Sequence, residues 1–439
     1  TGDAMTRFYR NHGATGSVGN VVIPIPMGRM VGGTTAINTG TCWRTPEWVL
    51  KRWADEGLST FEPSRMSPYF EKVEQTLSVG VPSEELLGGV ARVVARGCDA
   101  LGYSHRPVSR NAPGCKGSGV CNFGCPTGSK QSTNLSYVPA ALQKGARLVT
   151  GAKVDRILFG GMAARGVEAT LVSSGRKLRV NARAVVLACG TLLTPSLLHG
   201  QGIGRNLPTL GKNLSIHPAT AVSALFDEEI RGFAAPPQGY CVDELHRQGI
   251  LAMGATAPID LAAGQFSFVG TKLTELMESY DHVASFGVMV EDRSRGRVSP
   301  TKNGGSRTFY WLGRRERDML VRGMQMIARI FLEAGAKEIY PATRSPRTIR
   351  NRREIDGLSE RPPKAADLLL SAFHPLGTAR MATSPERGVV SPAFEVFGTP
   401  GLYIADGSVV PGSPAVNPQV TIMALATLAA ESISEDLGN

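Results

Sequence analysis

Two polar side chains stand in an otherwise apolar stretch late in the chain. His374 lies in HPLGTARM, between Phe373 and Pro375. Asn417 lies between Val416 and Pro418, just ahead of an apolar run from Val420 to Ala430 that reads as a helix. Imidazole is the side chain whose ordinary pKa suits taking up a proton near neutrality. An asparagine that opens a helix either caps it or presents its amide to a ligand. One titratable group beside one neutral group suits abstraction of a hydroxyl proton: the base accepts it, and the neighbour orients the substrate. Between the two, IADGS (Ile404 to Ser408) reads as a buried strand delivering Asp406 and Gly407 to a tight turn. Such turns bring backbone close to a phosphate or to a polar ring edge.

Two upstream stretches have the composition needed to hold a large ligand. MGRMVGGTTAINTGTCWRTP pairs Gly32 with Gly33 and follows them with Thr34, Thr35 and Asn38. Paired glycines let backbone approach a ligand, and the small polar residues supply donors. VVLACGTLLTPSLLHGQGIG (Val185 to Gly204) reads as an apolar strand, a glycine turn and a helix, with the turn at Ala188, Cys189 and Gly190.

HPLGT, the ADGS strand and the helix of NPQVTIMAL together resemble the C-terminal flavin-contacting segment of the glucose–methanol–choline (GMC) oxidoreductases. The resemblance covers the chain from Phe8 onward and is strongest at Gly28–Pro46 and Phe373–Ala430. It implies an α/β fold: a doubly wound FAD-binding domain interleaved with an antiparallel-sheet substrate domain. It implies FAD as cofactor and oxidation of an alcohol, CH–OH to C=O, with the hydride passing to the flavin. His374 is then the base, and Asn417 bonds the substrate oxygen or the flavin edge. Gly32, Gly33, Thr34 and Asn38 run along the flavin. Val154 places backbone on the adenine, and the turn at Ala188 lies against the ADP moiety. Backbone near Asp406, Gly407 and Pro418 holds the ring. The same fold also serves lyases and decarboxylases, and an electron-transfer subunit built on it is a further reading.

The domain order expected is 1–45 and 136–214 in the flavin domain, 46–135 as a connecting and substrate-domain segment with the cysteine-rich loop, 215–384 as the substrate domain, and 385–439 back in the flavin domain. Within these, Trp43–Val79, Ser83–Gly102, Tyr137–Leu142 and Asp318–Glu333 read as helices. Ala146–Gly160 reads as a strand, and His282–Val298 with Ser306–Leu312 as antiparallel strands around a turn. His217, in a loop-like context after Ile216, reads as structural. One expected unit is not found: no strand followed by GxGxxG lies near residue 1. That unit would carry the flavin pyrophosphate on a helix N-terminus. The expectation is that a second polypeptide supplies it.

Composition narrows the remaining classes. At 439 residues and 42% hydrophobic, the chain has material for more than one core. The net charge is +11, but the arginines are scattered, with no basic stripe interleaved with aromatics, which argues against nucleic acid. Contact with an anionic membrane surface or with an acidic electron acceptor stays open. No apolar run is long enough to cross a bilayer. A cytoplasmic or peripheral-membrane location is expected, with export open because residue 1 is Thr rather than Met. Among the seven cysteines, Cys115, Cys121 and Cys125 cluster with C-x5-C-x3-C spacing. That spacing fits neither a structural zinc site nor a ferredoxin run. Buried thiols, a disulfide and a metal centre all remain open there, and no metal ligand is assigned. Such a loop, followed by the turn Gly128–Ser132, resembles the long-chain alcohol oxidase and bacterial dehydrogenase branch of the family. The substrate classes implied are hydrophobic or long alcohols, steroids and sugars.

Overall fold

The computed structural model describes residues 2–254, 256–302 and 304–438. Its organising strand is Val283–Val290 (VASFGVMV), in which every residue except Gly287 is buried. A strand that is apolar on both faces belongs in the middle of a covered sheet. It lies antiparallel to Ala219–Leu225 on one side and to Ile250–Gly254 on the other. Glu338–Pro341 closes one edge, and Tyr240–Val242 with His105–Pro107 the other, giving six strands. Helices Glu84–Leu101 and Arg314–Glu333 pack with this sheet in one core. They approach closely at Gly97, where a Cβ would stand 2.1 Å from the Ile330 carbonyl oxygen.

A second core gathers around a parallel pair, Val185–Leu187 beside Leu402–Ile404. Helix Gln419–Asp436 covers it, with helices Glu47–Asp55 and Pro63–Thr76 on the same core. An antiparallel meander of Ala152–Gly160, Ala163–Leu171 and Lys177–Asn181 flanks the pair. A four-stranded sheet joins Gly16–Val18 and Ile23–Pro24 to the hairpin of Arg297–Pro300 and Ser306–Phe309. The α/β class expected from sequence is what the structure shows.

Two local readings need correction. His282–Val298 is not one hairpin unit: Val283–Val290 centres the six-stranded sheet, while Arg297–Pro300 pairs in another sheet. Period-two alternation marks a strand but carries no information on its partner. The strand expected from Ala146 starts only at Ala152, and Leu148 and Val149 are exposed. Residues 46–135 contribute to both cores. Val49 to Leu77 lie in the second core, Val90 to Cys98 in the first.

Candidate active site

The site is built where two extended segments run side by side. Ser215 and Leu376 exchange backbone hydrogen bonds at 2.9 and 3.1 Å, and Ala219 and Ser371 exchange a pair at 2.9 Å. His217 and His374 fall between those anchor points, and their rings meet edge to face. Nδ1 of His217 lies 3.1 Å from Nδ1 of His374. The far nitrogen of His217, Nε2, bonds Ser413 Oγ. The far nitrogen of His374, Nε2, faces Nδ2 of Asn417 at 3.3 Å. His217 therefore touches the ring of His374, a contact that its loop-like context did not announce. The signal was present: His217-Pro218 repeats the dipeptide of His374-Pro375.

His217 holds a left-handed backbone, φ +51°. That conformation is uncommon for a residue with a Cβ and needs a surrounding that fixes it. Buried Asp292 does so: its carboxylate accepts from Ile216 N at 3.0 Å, Ser215 Oγ at 2.5 Å and Tyr310 Oη at 2.9 Å. Burial raises the pKa of Asp292, against the pull of those hydrogen bonds.

Both imidazoles are held neutral. Burial is the main cause for each. It takes His217 down to about 3, with the Arg295 guanidinium adding to it. His374 goes well below 6.5, with His217 as the second cause. His374 still keeps accessible surface, next to exposed Phe373, so a substrate can meet it. Asn417 is buried, and its Oδ1 has no partner. Its amide does not cap the following helix, whose N-cap is Pro418. A buried acceptor without a donor is costly, and in native structures it calls for a ligand or a solvent partner.

The other sequence-assigned residues divide. Gly33 (φ +53°) and Gly190 (φ +84°) have open space where a Cβ would point, as a backbone cradle requires. Ala188 is exposed on the same turn as Gly190, and Val154 is exposed on its strand. Gly32 instead packs on Asn134, at 2.8 Å from a Cβ position to Oδ1. Thr34 accepts from Gly28 N. Asn38 is occupied internally: Nδ2 donates to Gln419 Oε1 at 2.7 Å, and Oδ1 accepts from Gly40 N. Asp406 is occupied too, accepting from Gly190 N, Thr194 Oγ1, Ser408 N and Ser408 Oγ. It ties the Ala188–Gly190 turn to the end of strand Leu402–Ile404. Gly407 sits under Thr191, where a Cβ would be 2.9 Å from Oγ1.

The cysteine loop underpins the Gly32–Asn38 segment. Buried Lys130 donates to the carbonyls of Ala36, Asn38 and Cys121 at 2.9, 2.6 and 2.8 Å. Burial lowers its pKa to about 8. Arg110, also buried, donates to Thr39 O and to Cys121 Sγ. Sequence reading passed over both cations, because a lone Lys in a Gly-rich turn looks solvated. All seven cysteines are free thiols, so the disulfide reading of the loop does not hold. Among the described residues no three His, Cys, Asp or Glu side chains are placed to hold a metal ion.

Models of the GMC oxidoreductases match residues 5–219 and 292–426. An uncharacterised GMC-type oxidoreductase of Mycobacterium tuberculosis (strain ATCC 25618 / H37Rv) is 36% identical over 432 residues, covering 98% of this chain and 68% of that protein. The long-chain-alcohol oxidase FAO4B of Arabidopsis thaliana is 27% identical over 447 residues, 94% of this chain and 59% of its own. Among solved structures, pyridoxine 4-oxidase superposes with a TM-score of 0.72 over 93% of this chain and 85% of that one, at 18% identity. This last likeness bears on the fold alone. The paired sheets, the His374–Asn417 site and these matches converge: the chain belongs to the GMC oxidoreductase family.

Proposed function

We propose that this chain carries the catalytic site of an FAD-dependent oxidoreductase that oxidises a hydrophobic alcohol to its carbonyl. One observation carries the reading: neutral His374 and buried Asn417 converge, and Asn417 Oδ1 is a buried acceptor without a partner. The residues fit the cofactor in part. Gly33, Gly190 and the Ala188 turn offer open backbone, whereas Asn38 and Asp406 shape that backbone without free side-chain atoms. Bound FAD would supply the two-electron acceptor for the carbinol hydride.

Everything else is done by the chain. His374 Nε2 takes the hydroxyl proton, which a neutral imidazole can do and an imidazolium cannot. Asn417 holds the substrate oxygen by its amide, with Oδ1 satisfied by a donor on the bound molecules. Beside it, Val416 packs with Val108, Leu251, Met253 and Met289. Exposed Phe373, next to His374, suits an aliphatic alcohol better than a sugar.

A glycine-rich strand–helix unit packed against the parallel pair, from a second polypeptide or from a further part of the same protein, is proposed to complete the pyrophosphate site. Parallel sheets are normally covered on both faces. Here Val186, in the parallel pair, is 46% exposed. It borders an apolar groove of about 300 Å³ lined by Ala405, Ala426, Ala429, Ala430 and Ile433.

The test is anaerobic reduction of bound flavin by a series of primary alcohols of increasing chain length. Bleaching of the flavin band is expected, faster with longer chains, and slowed ~10²–10⁴-fold in His374→Gln. A flavin reduced by no alcohol, or reduced equally well by His374→Gln, would sink the proposal. Native mass spectrometry of the same sample checks for the second polypeptide.

A further inference from the structure

We propose that residues 258–270 and the arginine-rich loop 344–353 form one face that docks on an anionic phospholipid membrane. The inference goes beyond the chemistry assigned to His374 and does not depend on it.

The apolar half is a short segment whose inner side is fully used. Ala262 is buried with Tyr280 and Val283, and Tyr280 Oη donates to the Ala257 carbonyl at 2.7 Å. The rings of Phe266 and Phe268 meet that of Tyr340 edge to face, with centroids 6.2 and 5.4 Å apart. The outer side carries Ile259, Leu261 and Val269, which are 56%, 39% and 83% exposed. Val269 is the most exposed large apolar side chain among the described residues. Single apolar side chains at a surface are ordinary, but three on one short segment, anchored from beneath by other residues, make a patch.

The charged half is joined to it through edge strand Glu338–Pro341. The arginine loop folds back along that strand, where Ile339 and Ile349 exchange backbone hydrogen bonds at 2.9 Å. Lys272 follows the apolar segment; it lies over the Tyr340 ring and donates to Glu338 Oε2 at 2.9 Å. Arg350, from the loop, donates to the other oxygen of the same carboxylate at 2.5 Å. One acid thus holds a cation from each half. Residues 344–353 contain five arginines and no acid. Arg350 and Arg352 are matched by Glu338 and Glu333. Among the described residues Arg344, Arg347 and Arg353 form no ion pair, and Arg344 and Arg353 are exposed. Clustered unmatched cations repel one another and attract an anionic surface.

The combination selects the partner. At a bilayer, aliphatic side chains enter the boundary of the acyl chains while guanidinium groups take the lipid phosphates. An acidic protein surface would satisfy the arginines but gives Ile259, Leu261 and Val269 no apolar phase to enter. A membrane is also where a hydrophobic alcohol concentrates; this last point alone rests on the substrate class proposed above.

The experiment mixes the flavin-loaded protein with vesicles of phosphatidylcholine, with or without phosphatidylserine, and measures the protein that sediments with them. Binding is expected with phosphatidylserine, little without it, and weaker binding at high salt. Replacing Arg344, Arg347 and Arg353 by Gln should weaken binding ~10²-fold, roughly five-fold per arginine. Replacing Ile259, Leu261 and Val269 by Ser should weaken it ~10-fold or more. A charge-matched variant with Gln at exposed Lys144, Arg147 and Arg176 should lose far less. Flavin absorbance and urea unfolding check that each variant is folded. No binding to phosphatidylserine vesicles, or an equal loss in the charge-matched variant, overturns the proposal. Binding that the serine variant leaves unchanged, with soluble polyglutamate bound as tightly as vesicles, overturns it in favour of an acidic protein surface. Vesicle binding is read without substrate, so failure of alcohol oxidation and failure of docking are separate results.

Discussion

Asp406 is the side chain on which the frame of the site depends, and its removal can be predicted in size. Its carboxylate is 8% exposed. It accepts from Gly190 N at 2.9 Å, Thr194 Oγ1 at 2.5 Å, Ser408 N at 2.8 Å and Ser408 Oγ at 2.5 Å. Asp406→Asn keeps the shape and turns one oxygen into a donor. The Gly190 N–H then faces another N–H, and that bond is lost outright. A hydrogen bond to a charged acceptor contributes ~1.5–3 kcal/mol. Thr194 can rotate its hydroxyl and accept instead. The two Ser408 bonds persist but lose their charge assistance, ~1–2 kcal/mol for the pair. The expected destabilisation is therefore about 2.5–5 kcal/mol. Urea unfolding followed by tryptophan fluorescence, with Trp53 fully in the second core, reads it. The measurement is made on flavin-free and flavin-loaded protein. An internal clamp loses the same amount in both. A loss below ~1 kcal/mol without flavin, with a large loss only when flavin is bound, would refute the clamp and make Asp406 a ligand.

Two further predictions concern buried charge. Lys130→Met keeps the apolar stem but leaves the carbonyls of Ala36, Asn38 and Cys121 without their donor; a loss of ~2–4 kcal/mol in urea unfolding and weaker flavin retention are expected, and unchanged values would show that solvent serves those carbonyls. The histidine pair makes stability fall toward acid. Both native pKa values are depressed, so below pH 6.5 the unfolded chain takes up protons that the native chain does not. Stability then drops by ~1.4 kcal/mol per pH unit for each histidine as pH falls from 6.5. Asp292, raised by burial, titrates in the opposite sense, so the clean reading is a difference: His217→Gln should flatten the pH slope by ~1.4 kcal/mol per unit, and parallel slopes would contradict the assignment.

What the sequence determined is what short-range chemistry can encode. His374-Pro-Leu-Gly-Thr, the strand before Asp406 and the helix after Pro418 were legible because each is contiguous and has a distinctive period or turn residue. The helices at Glu84–Leu101 and Arg314–Glu333 followed from their apolar faces and glycine stops in the same way. Tertiary structure decided everything that depends on distance across the chain. His217 looked like an ordinary loop histidine until Ser215 paired with Leu376 and brought its ring onto His374. Asn417 was open to capping a helix or to meeting a ligand, and the fold set its amide on that same ring. Asn38 and Asp406 looked like ligand-facing groups, and the fold instead occupies their polar atoms in holding loops together. Lys130 carried no signal in its turn, and the carbonyls of Ala36, Asn38 and Cys121 enclose it. The physical reason is common to all four. A polar side chain's role is set by which donors and acceptors surround it, and those come from segments that the local sequence does not name.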